Sequence, residues 1–148
     1  MPAGLRLSIG AGHDEVARVH AAVAEFATAE RLPADVRRSV QVVVDELLAN
    51  IVLHGLAGRD GGEATIEITC GPHDLTITVS DNGAPFDPFR HAEPDTTLSV
   101  EARPTGGLGI HLVRRMVDEA RYQRLGDRNV TILTKRLAKD TSHRPGGD

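Results

Sequence analysis

Two periodicities divide the chain. Leu5, Leu7 and Ile9 alternate with polar or small residues, which predicts a short strand over residues 1–9 at a sheet edge. Gly10 and Gly12 break that pattern, and Asp14 is placed to cap a helix. From Glu15 to Arg31 the apolar positions Val16, Val19, Val23, Phe26 and Ala27 step by three and four, which is one face of an amphipathic helix. Pro33 suits the first turn of a second helix over Ala34–His54, ending near Gly55. That helix is rich in Val, Leu and Ala, so much of its surface is expected to be buried.

Period two returns after a polar turn at Arg59–Gly62. Thr65–Thr69 and Leu75–Ser80 both alternate, with Gly71-Pro72-His73-Asp74 between them, so they read as a hairpin with one buried face. Residues 84–105 keep no period and contain Pro85, Pro88, Pro94 and Pro104. A structureless stretch of this length inside a small domain is commonly functional, for example a lid. A further helix is predicted over Gly107–Val117. Two strands, Ala120–Leu125 and Asn129–Lys135, follow around a Gly126-Asp127 turn. The order strand, helix, helix, two strands, loop, helix, two strands predicts an α+β two-layer sandwich. Its helices cover one face of a mixed, mostly antiparallel sheet. One domain is expected over residues 1–139, with a polar, disordered tail over 140–148.

Composition narrows the functional classes. The chain has 148 residues, 40% of them hydrophobic and only 3% aromatic, so its core must be built from aliphatic side chains. A net charge of -4 disfavours a nucleic-acid partner, although Arg114, Arg115, Arg121 and Arg124 could form a local basic patch. The single cysteine, Cys70, cannot form an intramolecular disulfide, and the seven histidines show no metal-ligand spacing. No apolar run is long enough to span a membrane and no signal peptide opens the chain, so a cytoplasmic location is expected.

Three blocks carry the candidate chemistry. Glu46, Asn50 and His54 recur every four residues and share one line along the second helix, among apolar neighbours. An Asn carbonyl oxygen is a hard ligand suited to Mg²⁺, and a carboxylate one turn away can take a proton from an attacking hydroxyl. The same spacing also describes a solvent stripe. Asp81-Asn82-Gly83 ends an alternating strand. Its Asp can accept a hydrogen bond from an exocyclic amine while Gly83 lets a flat ring approach, but the triplet also makes a good turn. Thr105-Gly106-Gly107-Leu108-Gly109-Ile110 opens a helix whose first N–H groups could receive an anion, or is simply a flexible loop. It is neither a dinucleotide fingerprint nor a Walker loop, since no Lys-Ser/Thr ending follows.

In this order and context the blocks resemble the GHKL superfamily, with its Bergerat fold, which includes gyrase, histidine kinases and MutL. The resemblance spans residues 14–136. It implies ATP and Mg²⁺ as cofactors, with Asn50 on the metal and Asp81 on the adenine amine beside Gly83. The phosphates would lie along Thr105, Gly106, Gly107, Leu108, Gly109 and Ile110. The lid would span Pro85–Thr105, and Thr131 is the candidate adenine-side threonine of the closing strand.

The finer match is to the anti-sigma factor serine kinases of the RsbW and SpoIIAB type. It rests on Val44-Asp45-Glu46 through His54-Gly55, on Asp81 through Pro88, and on Gly106 through Val113. That resemblance implies a homodimeric serine/threonine protein kinase in which Glu46 is the general base. Its substrate would be a serine on a STAS-domain antagonist, and a sigma factor would be a further partner. The alternative is a non-catalytic module that uses ATP to sequester a sigma factor or other regulator; Glu46 favours the kinase. A detached histidine-kinase domain fits less well, because His13-Asp14-Glu15-Val16-Ala17-Arg18 is followed by Val19 where proline is usual.

Overall fold

The computed structural model describes residues 3–10, 13–52, 61–91 and 107–137. His54, Thr105, Gly106, most of the expected lid and the tail from Asp140 lie outside them.

Among the described residues five strands form one sheet: β1 (Ala3–Ile9), β2 (Ala64–Cys70), β3 (Asp74–Asp81), β4 (Glu119–Leu125) and β5 (Arg128–Arg136). Their spatial order is β1-β2-β3-β5-β4, so β1 is an edge strand, as its isolated alternation implies. The expected mixed sheet narrows to pairings that are all antiparallel among the described residues. Helices α1 (His13–Ala29), α2 (Ala34–Asn50) and α3 (Gly107–Met116) complete the α+β two-layer arrangement, and α2 packs against both other helices.

Because side chains alternate along a strand, register decides which residues form each row across the inner face. One row runs Leu5, Ile68, Ile77, Leu133, Ala120; the next runs Leu7, Ile66, Val79, Thr131, Tyr122; the last runs Ile9, Ala64, Asp81, Asn129, Arg124. The first two rows are aliphatic on β1 to β3, and the helices cover them with Val19 and Val23, with Val40, Val43, Val44, Leu47 and Leu48, and with Ile110 and Val113. Each fully buried Leu, Ile or Val contributes about 1.5–3 kcal/mol of transfer free energy, so aliphatic bulk replaces the missing aromatics. The last row turns polar at Asp81, Asn129 and Arg124, beside the C-terminal half of α2. The opposite face carries Ser8, Thr65, Ser80, Thr76, Thr78 and the Arg6–Glu67 pair at 3.0 Å, which is a solvated surface.

Helix ends depart from expectation in two places. Asp14 lies inside the first turn of α1, because the helix already begins at His13; there its charge favours the helix dipole without capping it. Pro33 is the N-cap of α2 (φ −57°, ψ 153°), one position before the first turn. Between them α1 closes with a Schellman motif: Leu32 N–H reaches the Ala27 carbonyl and Arg31 N–H the Thr28 carbonyl, both at 3.0 Å. Arg31 takes the left-handed position (φ 57°), and Leu32 buries itself as the apolar residue that follows. The β4–β5 hairpin turns at Gly126-Asp127 with Gly126 at φ 60°, a backbone that glycine adopts freely. Among the described residues no helix is long and apolar enough to cross a membrane.

Candidate functional site

One pocket opens where the C-terminal half of α2 meets the polar row of the sheet. Leu47, Asn50 and Ile51 line it from the helix, Asp81, Asn129 and Thr131 from the strands, and Phe86 and Pro88 from the segment after β3. Asp81, Asn129 and Thr131 are also the buried polar residues among the described core positions, at 5%, 4% and 7% exposure. Burying such groups is costly unless they are bonded, so their clustering at one pocket marks it as the candidate site.

Asp81 is held through one oxygen. Its Oδ1 accepts the Gly83 N–H at 2.8 Å and the Asn129 amide at 3.0 Å. The Gly83 bond is the turn that Asp-Asn-Gly favours, so turn and site readings of this block describe the same geometry. Asn82 points the other way, accepting the Glu63 N–H at 3.0 Å and donating to the Gly61 carbonyl at 3.1 Å, which ties the end of β3 to the start of β2.

Glu46 and Asn50 lie one turn apart on α2, and neither faces open solvent as a plain polar stripe would. Both are half-buried. Glu46 meets the first turn of α3, where a Cβ on Gly109 would overlap its carboxylate, so the absent side chain is what leaves room for the acid there. Asn50 lines the pocket with Asp81. Just past Asn50 the helix loosens into a π-type turn at 51–52, a distortion frequent at functional sites. On the far side of α2, His20 Nδ1 meets the Asp45 carboxylate at 3.1 Å and Gln41 donates to the His20 carbonyl at 3.0 Å, fixing α2 against α1 beside Glu46.

Of the glycine block, Gly107, Gly109 and Ile110 belong to the first turn of α3. The Ile110 side chain is in the core, so only its backbone can face a ligand. Thr131 faces the pocket and pairs with Val79. The residue opposite Asp81, however, is Asn129. Asn129 has the same strand parity as Thr131, and that parity was the signal available in the sequence. Phe86 and Leu47, which supply apolar walls, had no comparable signal. Arg124, one of the four arginines of the possible basic patch, donates to the Gly83 carbonyl at 2.7 Å and to Asn129 Oδ1 at 3.2 Å.

An acid beside a helix N-terminus, an amide one turn on, and a buried Asp with one oxygen unclaimed among the described residues make a site suited to a phosphorylated ligand with a flat, amine-bearing ring. Comparisons with known proteins identify the family. Residues 10–135 match the family model described as a histidine kinase-like ATPase domain. The chain is 30% identical over 118 residues to the serine/threonine-protein kinase BtrW of Bordetella bronchiseptica, covering 78% of this chain and 82% of that protein. It is 29% identical over 148 residues to the serine-protein kinase RsbW of Bacillus cereus, covering 96% and 90%. The RsbW of Bacillus pumilus is 31% identical over 109 residues, with 65% of its length covered. Among solved structures, the RsbU and RsbW domains of Rv1364c from Mycobacterium tuberculosis align with a TM-score of 0.63 at 18% identity, over 91% of this chain and 32% of that one. The SiaB-SiaC complex from Pseudomonas aeruginosa aligns at 0.57 and 16% identity, over 90% and 89%. The chain belongs to the histidine kinase-like ATPase domain family and, within it, to the RsbW-type serine/threonine protein kinases.

Proposed function

We propose that this kinase binds Mg-ATP in the pocket and phosphorylates a serine on a STAS-domain antagonist, as one arm of a partner switch in the cytoplasm. The observation that carries the reading is the junction of α2 and α3, where Glu46 lies against Gly109 while Asn50, one turn on, shares a pocket with Asp81. Asp81 would accept the adenine amine, and the first N–H groups of α3 would face the phosphates. Asn50, a hard oxygen donor at the pocket wall, fits a Mg²⁺ ion that takes its other ligands from phosphate and water. Bound there, the ion would neutralise charge on the transferring group.

In the transfer itself, the serine oxygen attacks the γ-phosphorus and the bond to the β–γ bridging oxygen breaks, its electron pair leaving with ADP. Glu46 takes the serine proton. Phosphoryl transfer depends mostly on positioning and charge stabilisation, so this small set of groups can suffice. The printed names of the relatives support the kinase activity, and the SiaB-SiaC structure supports a bound partner. A homodimer and a sigma factor as second partner rest on the family resemblance.

The test is incubation with Mg-ATP and a STAS protein from the same genome. Phosphoserine on that protein, lost in Glu46→Gln while nucleotide binding persists, is the expected result. ATP-dependent association without phosphate transfer would replace the kinase with a sequestering module. Size measurement of the protein alone, and with candidate sigma factors, reads the remaining partners.

A further inference from the structure

Asn129 has more hydrogen bonds than any role as a strand residue requires. Its amide nitrogen donates to Asp81 Oδ1 at 3.0 Å and to the Ala84 carbonyl at 2.8 Å, with the Gly83 carbonyl at 3.4 Å. Its oxygen accepts the Phe86 N–H at 3.1 Å, the Arg124 guanidinium at 3.2 Å and the Tyr122 hydroxyl. These partners fix the amide's orientation. A flipped amide would set its oxygen against the Asp81 carboxylate and the Ala84 carbonyl, and its NH₂ against the Phe86 N–H and Arg124.

One 4%-exposed side chain therefore joins three things: the Asp81 carboxylate, the backbone of 83–86 where the chain leaves β3, and the end of edge strand β4. We propose that Asn129 is a positioning residue. It holds Asp81 so that Oδ2 is presented to the base, and it fastens the segment 83–86 to the same carboxylate, with Tyr122 and Arg124 as its brace. Reading of the base is thereby coupled to the placement of the root of the segment that follows. This rests on Asp81 reading the adenine amine.

The inference is tested by the affinity ratio of ATP to inosine triphosphate, which carries an exocyclic carbonyl oxygen in place of the 6-amino group. The unmodified protein should prefer ATP, and Asp81→Asn should remove the preference. If Asp81→Asn leaves the ratio unchanged, the base reading fails, and the role of Asn129 fails with it. Asn129→Ala should weaken ATP binding by about tenfold, the equivalent of one hydrogen bond to a charged group, and should also lower the ratio. Tyr122→Phe removes one brace on the exposed side of the network and should keep the fold while lowering the ratio less.

Amide exchange supplies a second readout. Bound ATP should slow exchange at Phe86 N–H in the unmodified protein and not in Asn129→Ala. A purely structural Asn129 would lower the melting temperature while leaving both the ratio and the ATP-dependent protection intact. That outcome, with Asp81→Asn behaving as expected, would overturn the positioning role and leave the base reading standing.

Discussion

The strand end of the pocket and its helix end are built on opposite plans. At the strand end, Asp81 and Asn129 stand opposite each other on neighbouring strands, nearly fully buried, and hydrogen bonds hold both in place. At the helix end, Glu46 and Asn50 are half-buried, and among the described residues neither side chain has a hydrogen-bond partner. The strand end is finished by the fold itself. The helix end presents polar atoms whose partners a ligand would supply. A site that must recognise a constant ring and also release a changing phosphate chain benefits from this division, since rigidity serves recognition and open valences serve turnover.

If that division is right, substitutions at the helix end should cost activity with little change in stability, while those at the strand end should cost stability as well as nucleotide affinity. The largest effect expected is that of Glu46→Gln, which keeps the shape and removes the base. Transfer should fall by about 10²–10⁴-fold, with ATP affinity within about twofold of the unmodified protein and the melting temperature unchanged. Calorimetric binding beside a phosphorylation assay reads all three, and retained transfer would remove Glu46 from the chemistry.

Asp81→Ala should lower stability as well as nucleotide affinity. It leaves the Gly83 N–H and the Asn129 amide without their acceptor in a buried place, at about 1–3 kcal/mol for each orphaned donor that water cannot reach. Chemical denaturation should detect this loss, while Glu46→Ala, at the half-buried end, should move the midpoint little. Equal losses for the two variants would erase the distinction.

How much of this could be read in the chain depends on whether a feature is local. The strands and helices were legible because burial on one face imposes a period, and Leu75, Ile77 and Val79 show it plainly. The three chemical blocks were legible only together, because each alone also reads as a solvent stripe, a turn or a flexible loop, and their order is what resembles the GHKL superfamily. The position of Asn129 opposite Asp81 was not, because the β3–β5 register is set across a 48-residue separation rather than by a hairpin turn. The family resemblance named Thr131 as the adenine-side candidate and left open which residue would face the carboxylate. The meeting of Glu46 with Gly109 was hidden for the same reason: each half looked like a solvent stripe or a flexible loop until α2 and α3 packed together.

That junction yields the next prediction. Gly109→Ala places a methyl group where the Glu46 carboxylate lies, so the acid must move. Transfer should fall by about tenfold or more, since small displacements of a reacting group are expensive. Alanine is also favoured over glycine in a helix by about 1 kcal/mol, so the melting temperature should hold or rise. Loss of activity without loss of stability would be the signature of the helix end. Unchanged transfer would show that the close approach has no part in catalysis.

The smallest effect belongs to a control region away from both ends. Glu15, on the first turn of α1, accepts the Gly10 N–H at 3.0 Å and pairs with Arg18 at 2.9 Å, while Arg18 reaches back to the Ser8 carbonyl. The hydrogen bond from the Arg18 side chain, helped by the Gly10 N–H, holds the Glu15 carboxyl down at about 2. A carboxyl depressed in the folded state adds stability that is present above its unfolded value, near 4.5, and is lost as pH falls through about 2. The pair is exposed, so the gain is screened and small. Melting temperatures of the unmodified protein and Glu15→Gln should differ slightly at neutral pH, converge between about 4.5 and 2, and draw closer in high salt. Nucleotide affinity should be the same for both. A gap that is constant with pH would mean that the β1–α1 corner is held by packing, and that the charge pair contributes nothing to it.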